Sequence, residues 1–279
     1  MKRSNGPPQW PSRIIRRSRG PGAASGYDRE IVVSRDIVPG VHRLGSSLVN
    51  WYLVEEGSRL TAVDAGLPGY RKALPSDLSL LGHPPGDIEA LVLTHSDGDH
   101  TGLAGTLRDG GARVLIHGAD EATLRKPRPK PGDAKPINIL PQLRHPALLK
   151  LIAHLALSGA FIPTALEGAE TFSGDDVLDV PGRPLVIATP GHTPGHCALY
   201  FEEKGVLFVG DALCTRNPIT GRPGAQVLPS ALNVSTDQCF ASLATIEHSP
   251  AEVVLVGHGG PWRDGAARAV ESARRLGRS

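Results

Sequence analysis

The chain has 279 residues, a net charge of +2 and 40% hydrophobic residues, a length and composition typical of one or two globular domains. No run of about 18 apolar residues occurs, which excludes a transmembrane helix. Cys197, Cys214 and Cys239 stand far apart and form no CxxC pair, so they predict no disulfide framework. In the absence of an export signal, these features favour a cytoplasmic protein.

Residues 1–29 form a basic N-terminal extension. Its first 26 residues contain six basic residues and no acidic one, are rich in Pro, Gly, Ser and Arg, and show no apolar period. We expect this segment to be disordered, because it cannot bury enough apolar surface to offset its ordering entropy. Arg16 and Arg17 are not followed by an apolar stretch, so no twin-arginine export signal is predicted. The extension either has no function of its own or is a basic arm that contacts anionic surfaces.

From residue 30 onward, short apolar runs end in Gly, Pro, Asp or His, a pattern that predicts β-strands. The predicted strands are Leu48–Val54, Leu60–Val63, Leu91–Leu93, Val114–Ile116, Leu185–Ala188, Ala198–Phe201, Val206–Val209 and Val253–Val256. Helices are predicted at about 69–81, 101–109, 237–248 and 264–276, with Asp237 as the N-cap of the third. This alternation favours an α/β domain over residues 30–279, with two mixed sheets inside and helices outside.

Residues 122–170 interrupt the alternation and are interpreted as an inserted helical lid. The run LRKPRPKPGDAKP predicts a basic, Pro-rich loop, and HPALLKLIAHLALSGAF predicts an apolar helix that is too short to span a membrane. An insertion of this kind, between two groups of predicted strands, is typical of an element that faces a substrate. The alternative is a helix that only extends the core.

Four metal-capable side chains follow one predicted strand. After Leu91–Leu93, the sequence brings His95, Asp97, Asp99 and His100 together within six residues. Packing does not explain this cluster, because unpaired buried His and Asp residues are costly. Imidazoles and carboxylates on a tight strand–helix junction are suited to hold divalent ions.

Three further predicted strands end in the same kind of residue. His192 and His196 follow Leu185–Ala188, Asp211 follows Val206–Val209, and His258 follows Val253–Val256. Because strand ends of a layered α/β core meet at one rim, we expect these side chains to gather beside the first loop.

These residues, taken in order, resemble those of the metallo-β-lactamase-fold hydrolases. The matching motifs are His95-x-Asp97-x-Asp99-His100, Gly191-His192, Asp211 and Gly257-His258, preceded by Val63-Asp64-Ala65-Gly66 at a strand end. The resemblance extends over about residues 30–278, apart from most of 122–170. It implies an αβ/βα four-layer sandwich of two mixed β-sheets flanked by helices.

The resemblance also implies a centre with two divalent metal ions. His95, Asp97 and His192 would hold the first ion, Asp99, His100 and His258 would hold the second, and Asp211 would bridge the two. Asp64 would orient a ligand by hydrogen bonding, and His196 is expected to support the loop that carries His192.

Asp97 departs from the family pattern, which usually has a histidine at this position. The additional carboxylate makes the cluster nearly neutral, so bound water would be acidified less strongly. Oxygen ligands also shift the preference towards manganese or iron, although zinc remains the expected metal.

The ligand set and the absence of a GxSxG motif favour metal-assisted hydrolysis. In this hypothesis a metal-bound hydroxide attacks a carbonyl carbon, and Asp99 passes a proton to the leaving group. The lactonase and glyoxalase-II-type thioesterase branches look closest, so the predicted substrate is a small, partly hydrophobic ester, lactone or thioester. Outside the extension the net charge is −4, which does not favour nucleic-acid binding. The protein is expected to be a monomer or a homodimer.

Two alternatives stay open at this point. Related proteins use a single iron to oxygenate persulfides, and the unusual Asp97 keeps a mononuclear iron sulfur-dioxygenase-type oxidoreductase in consideration. The other alternative is a non-catalytic metal-binding module that keeps the fold.

Overall fold

The computed structural model describes residues 13–16, 32–46, 48–128, 130, 133, 139–162 and 164–279. The strands are β1 (Arg13–Arg16), β2 (Val32–Val38), β3 (Val41–Gly45), β4 (Asn50–Glu56), β5 (Arg59–Val63), β6 (Ile88–Val92), β7 (Arg113–His117), β8 (Glu170–Phe172), β9 (Leu185–Ala188), β10 (Cys197–Phe201), β11 (Val206–Phe208), β12 (Cys214–Arg216), β13 (Pro223–Gln226) and β14 (Val253–Leu255). The α-helices are α1 (Leu74–Leu81), α2 (Gly98–Thr101), α3 (Ala104–Asp109), α4 (Gly118–Arg125), α5 (Ile139–Gln142), α6 (Pro146–Leu157), α7 (Thr236–Glu247) and α8 (Ala266–Leu276).

Two large sheets carry the fold. The first has eight strands in the order β1 to β8, antiparallel from β1 to β5 and parallel from β5 to β8. The second has the order β14-β11-β10-β9, and β11 runs parallel to β14. A separate hairpin joins β12 and β13. Both sheets are therefore mixed.

Three apolar clusters separate four layers. Because side chains alternate along a strand, Trp51 and Leu53 of β4 face a cluster shared with α1 and α3, whereas Tyr52 and Val54 face the second sheet. A third cluster, which includes Leu207 of β11, fills the space between the second sheet and helices α7 and α8. The layers are thus helix, sheet, sheet and helix, as the resemblance implied.

Each of the eight predicted strands overlaps a strand of the structure, and the four predicted helical regions contain helices. The region 69–81 is divided into a 3₁₀ turn, Pro68–Lys72, and α1. Strands β1, β2, β3, β8, β12 and β13 were not predicted, because they are short or carry polar residues. None of the helices in the described ranges is long and apolar enough to cross a membrane.

One local expectation was wrong. Ser235, not Asp237, is the N-cap of α7: its side chain accepts a hydrogen bond from the backbone N–H of Gln238, and Asp237 lies in the first turn. Within the extension, Arg13–Arg16 forms β1 and pairs with β2, and the other residues of 1–29 lie outside the described residues. Backbone pairing along a sheet edge depends little on side-chain composition, which is why the composition did not predict this strand.

The region assigned to the insertion, 122–170, overlaps elements of the main fold. Helix α4 continues to Arg125, and β8 begins at Glu170 beside β7. Between them, α6 matches the predicted apolar helix. Much of the basic loop that precedes α5 lies outside the described residues.

Candidate metal centre

The first loop of the site follows β6 and leads into the short helix α2. His95 and His100 are fully buried here, while Asp97 and Asp99 are about one quarter exposed. The loop lies against the segment after β5, because the backbone N–H of Ala65 donates to the carbonyl of His100 at 2.7 Å. The ends of two parallel strands therefore fix this part of the site.

The second sheet delivers the remaining side chains to the same rim. His192 lies between β9 and β10, Asp211 follows β11, and His258 follows β14; all three are buried. Gly257 allows the close approach, since a Cβ atom there would lie 2.4 Å from Oδ1 of Asp211 and 2.5 Å from Cε1 of His100.

The seven proposed ligands form three overlapping groups whose ligand atoms lie within 4.8 Å of one another: His95 with Asp97 and His192, His95 with His100 and Asp211, and Asp99 with His100 and His258. Asp211 lies between the outer two groups. Its Oδ2 is 3.5 Å from Nε2 of His192 and 3.2 Å from Nε2 of His258, and its Oδ1 is 3.3 Å from Nε2 of His100.

Each imidazole is held through Nδ1, so that Nε2 faces the centre. Nδ1 of His100 donates to the Asp64 carboxylate at 2.8 Å, and Nδ1 of His258 donates to the carbonyl of Leu48 at 2.7 Å. Because these partners only accept, Nδ1 carries the proton and a neutral ring keeps a free electron pair on Nε2. This is the arrangement that metal-binding histidines require.

Asp64 has a strained backbone conformation, and a network of hydrogen bonds keeps its side chain in position. Its φ is 59°, a left-handed conformation that is uncommon for a residue with a side chain. Its carboxylate accepts from the backbone N–H of Thr94 at 2.8 Å and from the Thr94 hydroxyl. The role expected for Asp64, orientation of a ligand, agrees with these contacts.

The donor set fits divalent ions on the evidence of its own polar atoms. Nε2 of His95, Nε2 of His100 and Oδ1 of Asp211 are buried and have no hydrogen-bond partner in the described structure. Such groups are costly unless something pairs with them. A cation among these atoms would satisfy all three at once.

The pKa shifts of Asp211 and His95 also favour binding of a cation. Burial alone would raise the pKa of Asp211, but His258 and His100 hold it well below its usual range. Burial and the neighbouring His100 lower the pKa of His95 well below its usual value. The carboxylate therefore stays ionised and the His95 ring stays neutral, and these are the forms that bind metal. Burial alone would lower the pKa of His100 and of His258, but Asp211 raises the first well above its usual value and the second to about 9. An ion that binds these two rings therefore displaces a proton from each.

His196 lies behind the centre rather than in it. Its Nε2 accepts from the backbone N–H of Asp211 at 3.0 Å, and its Nδ1 lies 2.8 Å from the Thr189 hydroxyl. Burial, together with His192, lowers the pKa of His196 to about 3, so the ring is neutral. It thus joins the Asp211 loop to the loop that carries His192.

Two residues that the sequence did not single out support the loops. The buried carboxylate of Asp120 accepts from the backbone N–H of Ser96 and of Gly195 and from the Thr193 hydroxyl, at 2.7–3.0 Å. Asn233 lies 3.1 Å from Nδ1 of His192 through its Oδ1. Neither residue lies in a motif, so their roles depend on contacts made only in the folded chain.

Lys130 is a third residue that sequence reasoning missed. Its ammonium forms an ion pair with Asp97 and lies 2.8 Å from Nε2 of His192. Burial alone would raise the pKa of Asp97, but Lys130 and His192 hold it well below its usual range. A positive charge therefore stands beside the carboxylate that departs from the family pattern.

A cavity of about 320 Å³ opens over the site. Its polar end contains Asp97, Asp99, Lys130, His192, Asp211 and His258, and its apolar walls contain Leu151, Leu155, Ala160, Phe161, Pro218, Leu228, Ala231 and Leu232. The predicted apolar helix α6 supplies part of these walls. This arrangement of a few polar groups at one end and apolar walls elsewhere is typical of a small-molecule site.

Comparisons with known proteins agree with this fold. The model of the metallo-beta-lactamase superfamily matches residues 44–258. The uncharacterized protein YobT of Bacillus subtilis (strain 168) is 30% identical over 235 residues, which cover 81% of this chain and 91% of YobT. The probable metallo-hydrolase YflN of the same organism is 25% identical over 235 residues, covering 80% of this chain and 84% of YflN.

A solved structure supports the same assignment. The crystal structure of TTHA1623 in a di-iron-bound form is 25% identical, with a TM-score of 0.56, and the match covers 84% of this chain and 98% of that chain. Four layers with His- and Asp-bearing loops at one rim define a class of metal-binding α/β proteins. The chain belongs to the metallo-beta-lactamase superfamily, and the fold predicted from its motifs is confirmed.

Proposed function

We propose that the protein is a metal-dependent hydrolase that cleaves an ester, lactone or thioester bond of a small, partly hydrophobic substrate. The observation that carries the proposal is a cavity that is lined both by candidate ligands, among them Asp99, His192 and Asp211, and by apolar side chains. The superfamily and the relative named as a probable metallo-hydrolase support the same reaction class.

In this proposal His95, Asp97 and His192 would hold one divalent ion, Asp99, His100 and His258 would hold the other, and Asp211 would be shared by both. Zinc is the first expectation, and the carboxylate of Asp97 also suits manganese or iron. Bound ions supply Lewis acidity, which lowers the pKa of water and polarises a carbonyl group.

The protein residues perform the remaining tasks. Leu151, Leu155 and Phe161 hold the apolar part of the substrate and exclude water around it. Asp99 is partly exposed at the cavity and lies 3.5 Å from Nε2 of His258, so its carboxylate can take a proton from the attacking water. It then gives that proton to the leaving oxygen or sulfur as the bond from the carbonyl carbon breaks.

The test measures bound metal and turnover in the same preparations. Esters, lactones, thioesters and phosphodiesters are screened with zinc- and manganese-loaded protein, and the best substrate is then used with His100→Ala and Asp211→Ala. We expect both variants to lose metal and at least about a hundredfold in turnover. His248→Ala, a histidine of the α7 C-terminus outside the site, is the matched control. Unchanged turnover after loss of metal would reject the proposal.

One observation favours the alternative of a single iron. The Lys130 ammonium contacts Asp97 and His192, and a cation held there competes with an ion of the first ligand group. A mononuclear site at Asp99, His100 and His258 would leave this pair intact. Metal analysis of protein purified without added metal separates the cases, because one iron per chain supports oxygenation chemistry and two zinc ions support hydrolysis.

A further inference from the structure

The segment 139–162, which contains α5, α6 and the turn after α6, exposes large apolar side chains. Leu143 and Leu149 are 38% and 49% exposed, and Phe161 and Ile162 are 67% and 69% exposed. In the described chain outside this segment, Leu80 and Val177 are the large apolar side chains with comparable exposure. A concentration of this kind marks an interaction surface.

This segment and the stretch before it are basic, whereas the rest of the domain from residue 27 onward is acidic. Residues 134–166 contain no Asp or Glu, and residues 122–162 contain seven basic residues and one acidic residue. Arg144 and Lys150 are exposed beside the apolar side chains, and Arg125, Lys126 and Arg128 are exposed where the insertion begins. Residues 27–121 and 163–279 together carry a net charge of −10. The surface therefore fits a partner that is both apolar and negatively charged.

This surface is continuous with the cavity of the candidate site. Phe161 lines the cavity and is also two-thirds exposed, and Leu151 and Leu155 of α6 line the same cavity from the inner side of the helix. The turn after α6 is fixed to the body, since the backbone N–H of Gly69 donates to the carbonyl of Ser158 at 2.8 Å. Phe161 thus lies at the cavity on a turn that is fixed to the body, and Ile162 follows it in the chain.

We propose that segment 139–162 docks on an anionic lipid bilayer, with Phe161 and Ile162 in the interface and Arg144 and Lys150 at the headgroups. A bilayer offers apolar contact and negative charge at the same surface. A second copy of the chain fits less well, because a two-fold contact of this face would bring like charges together. Docking itself does not depend on any activity. If the protein is the proposed hydrolase, an acyl substrate dissolved in the bilayer would enter the cavity past Phe161; this part of the inference rests on the proposed function.

The test is cosedimentation of the full chain with vesicles of phosphatidylcholine, alone or mixed with phosphatidylglycerol. We expect binding only to the mixed vesicles. Phe161→Ser and Ile162→Ser each lower the partition coefficient roughly tenfold, and Lys150→Gln lowers it roughly fivefold. Val177→Ser and Leu80→Ser, at exposed apolar positions elsewhere, leave it unchanged. All variants keep residues 1–29, so any contribution of the basic extension is constant.

A second measurement tests whether residue 161 enters the bilayer. Phe161→Trp should show a blue-shifted emission when phosphatidylglycerol vesicles are added, whereas Val177→Trp should not. Equal partitioning of Phe161→Ser and Val177→Ser would overturn the proposal and assign binding to the extension. Absence of vesicle binding would also overturn it, as would a concentration-dependent dimer in light scattering that Phe161→Ser abolishes. Since no substrate is used, failure of hydrolysis and failure of docking are distinguishable.

Discussion

The imidazoles of the site owe their orientation to neighbours that hold Nδ1. Asp64, Leu48 and Asn233 do this for His100, His258 and His192 respectively. The sequence identified Asp64 because it lies in a strand-end motif. Asn233 and the Leu48 carbonyl could not be identified in this way, since a backbone carbonyl carries no residue signature and Asn233 is 41 residues from its partner.

Lys130 gives a prediction at the scale of one residue. Its ammonium and a divalent ion compete for the same Asp97 oxygen and His192 nitrogen. Lys130→Met should therefore tighten binding of the ion at this group by at least about tenfold, because a nearby like charge is removed. Competition with a chromophoric chelator measures the affinity.

Lys126→Met provides the control for the Lys130 prediction, since Lys126 is exposed and lies in the same basic stretch. It should leave the affinity for the ion unchanged. An unchanged or weaker affinity in Lys130→Met would show that the ammonium does not oppose the ion.

At the scale of elements, hydrophobic periodicity was sufficient to predict the strands that end at the site. It was not sufficient for β2 and β3, in which two or three polar residues follow one another, or for β8, a three-residue strand. The cap of α7 was misassigned by two residues, because several residues near a helix start can act as caps and only geometry selects one.

The contact between the His100 loop and the segment after β5 leads to a second prediction. A Cβ at Gly102 would lie 2.3–2.5 Å from backbone atoms of Pro68, Leu67 and Gly66. Gly102→Ala must move backbone, so we expect a loss of about 2–3 kcal/mol in unfolding free energy. Gly86→Ala, where nothing lies within 4 Å of the added Cβ, should change it by less than about 1 kcal/mol. Urea denaturation measures the unfolding free energy of both variants. An equal loss in Gly102→Ala and Gly86→Ala would show that the close packing at Gly102 does not matter for stability.

A third prediction concerns a charge cluster that links β3, β4 and the turn after α1. Glu55 accepts from His42 at 2.7 Å and from His83 at 2.9 Å, and His83 also contacts Asp87 at 2.9 Å. Burial alone would lower the pKa of His83, but Glu55 and Asp87 raise it; burial alone would raise the pKa of Glu55, but His83 and His42 lower it. The cluster is therefore charged in mildly acidic solution.

The stabilisation from charged His83 is complete below the unfolded histidine pKa of about 6.5 and is lost as pH rises through the raised folded value. The contribution of Glu55 is present above about pH 4.3 and is lost as pH falls through the lowered folded value. His83→Gln should cost about 1 kcal/mol near pH 5.5 and clearly less near pH 9. Denaturant titrations at both pH values, with His248→Gln as the control, measure this. An equal cost at both values would exclude the charged pair.

At the scale of the whole molecule, the candidate ligands join the two sheets. His95, Asp97, Asp99 and His100 follow β6 of the first sheet, whereas His192, Asp211 and His258 belong to loops of the second. The sequence predicted this convergence because parallel strands end at one rim. It also indicated that the apolar helix of the insertion faces a substrate, and Leu151 and Leu155 of α6 line the cavity. It could not predict Lys130, whose position depends on how the insertion folds back.

A fourth prediction follows from this cross-sheet arrangement. Ions that bind only the folded chain stabilise it by mass action, by about 4 kcal/mol at a thousandfold excess over the dissociation constant. A chelator should therefore lower the melting temperature of the metal-loaded protein. His100→Ala should respond to the chelator much less, and His248→Ala should respond as the wild type does. If the chelator does not change the melting temperature of the metal-loaded protein, no ion links the two sheets.

The proposed metal centre is formed by loops of both sheets at the cavity. Anomalous X-ray diffraction from crystals of the zinc-loaded protein tests it most directly. We expect anomalous density among His95, Asp97 and His192, and among Asp99, His100 and His258, with Asp211 between the two peaks. Density only elsewhere on the molecule, or none under conditions where zinc is in excess, would contradict the account.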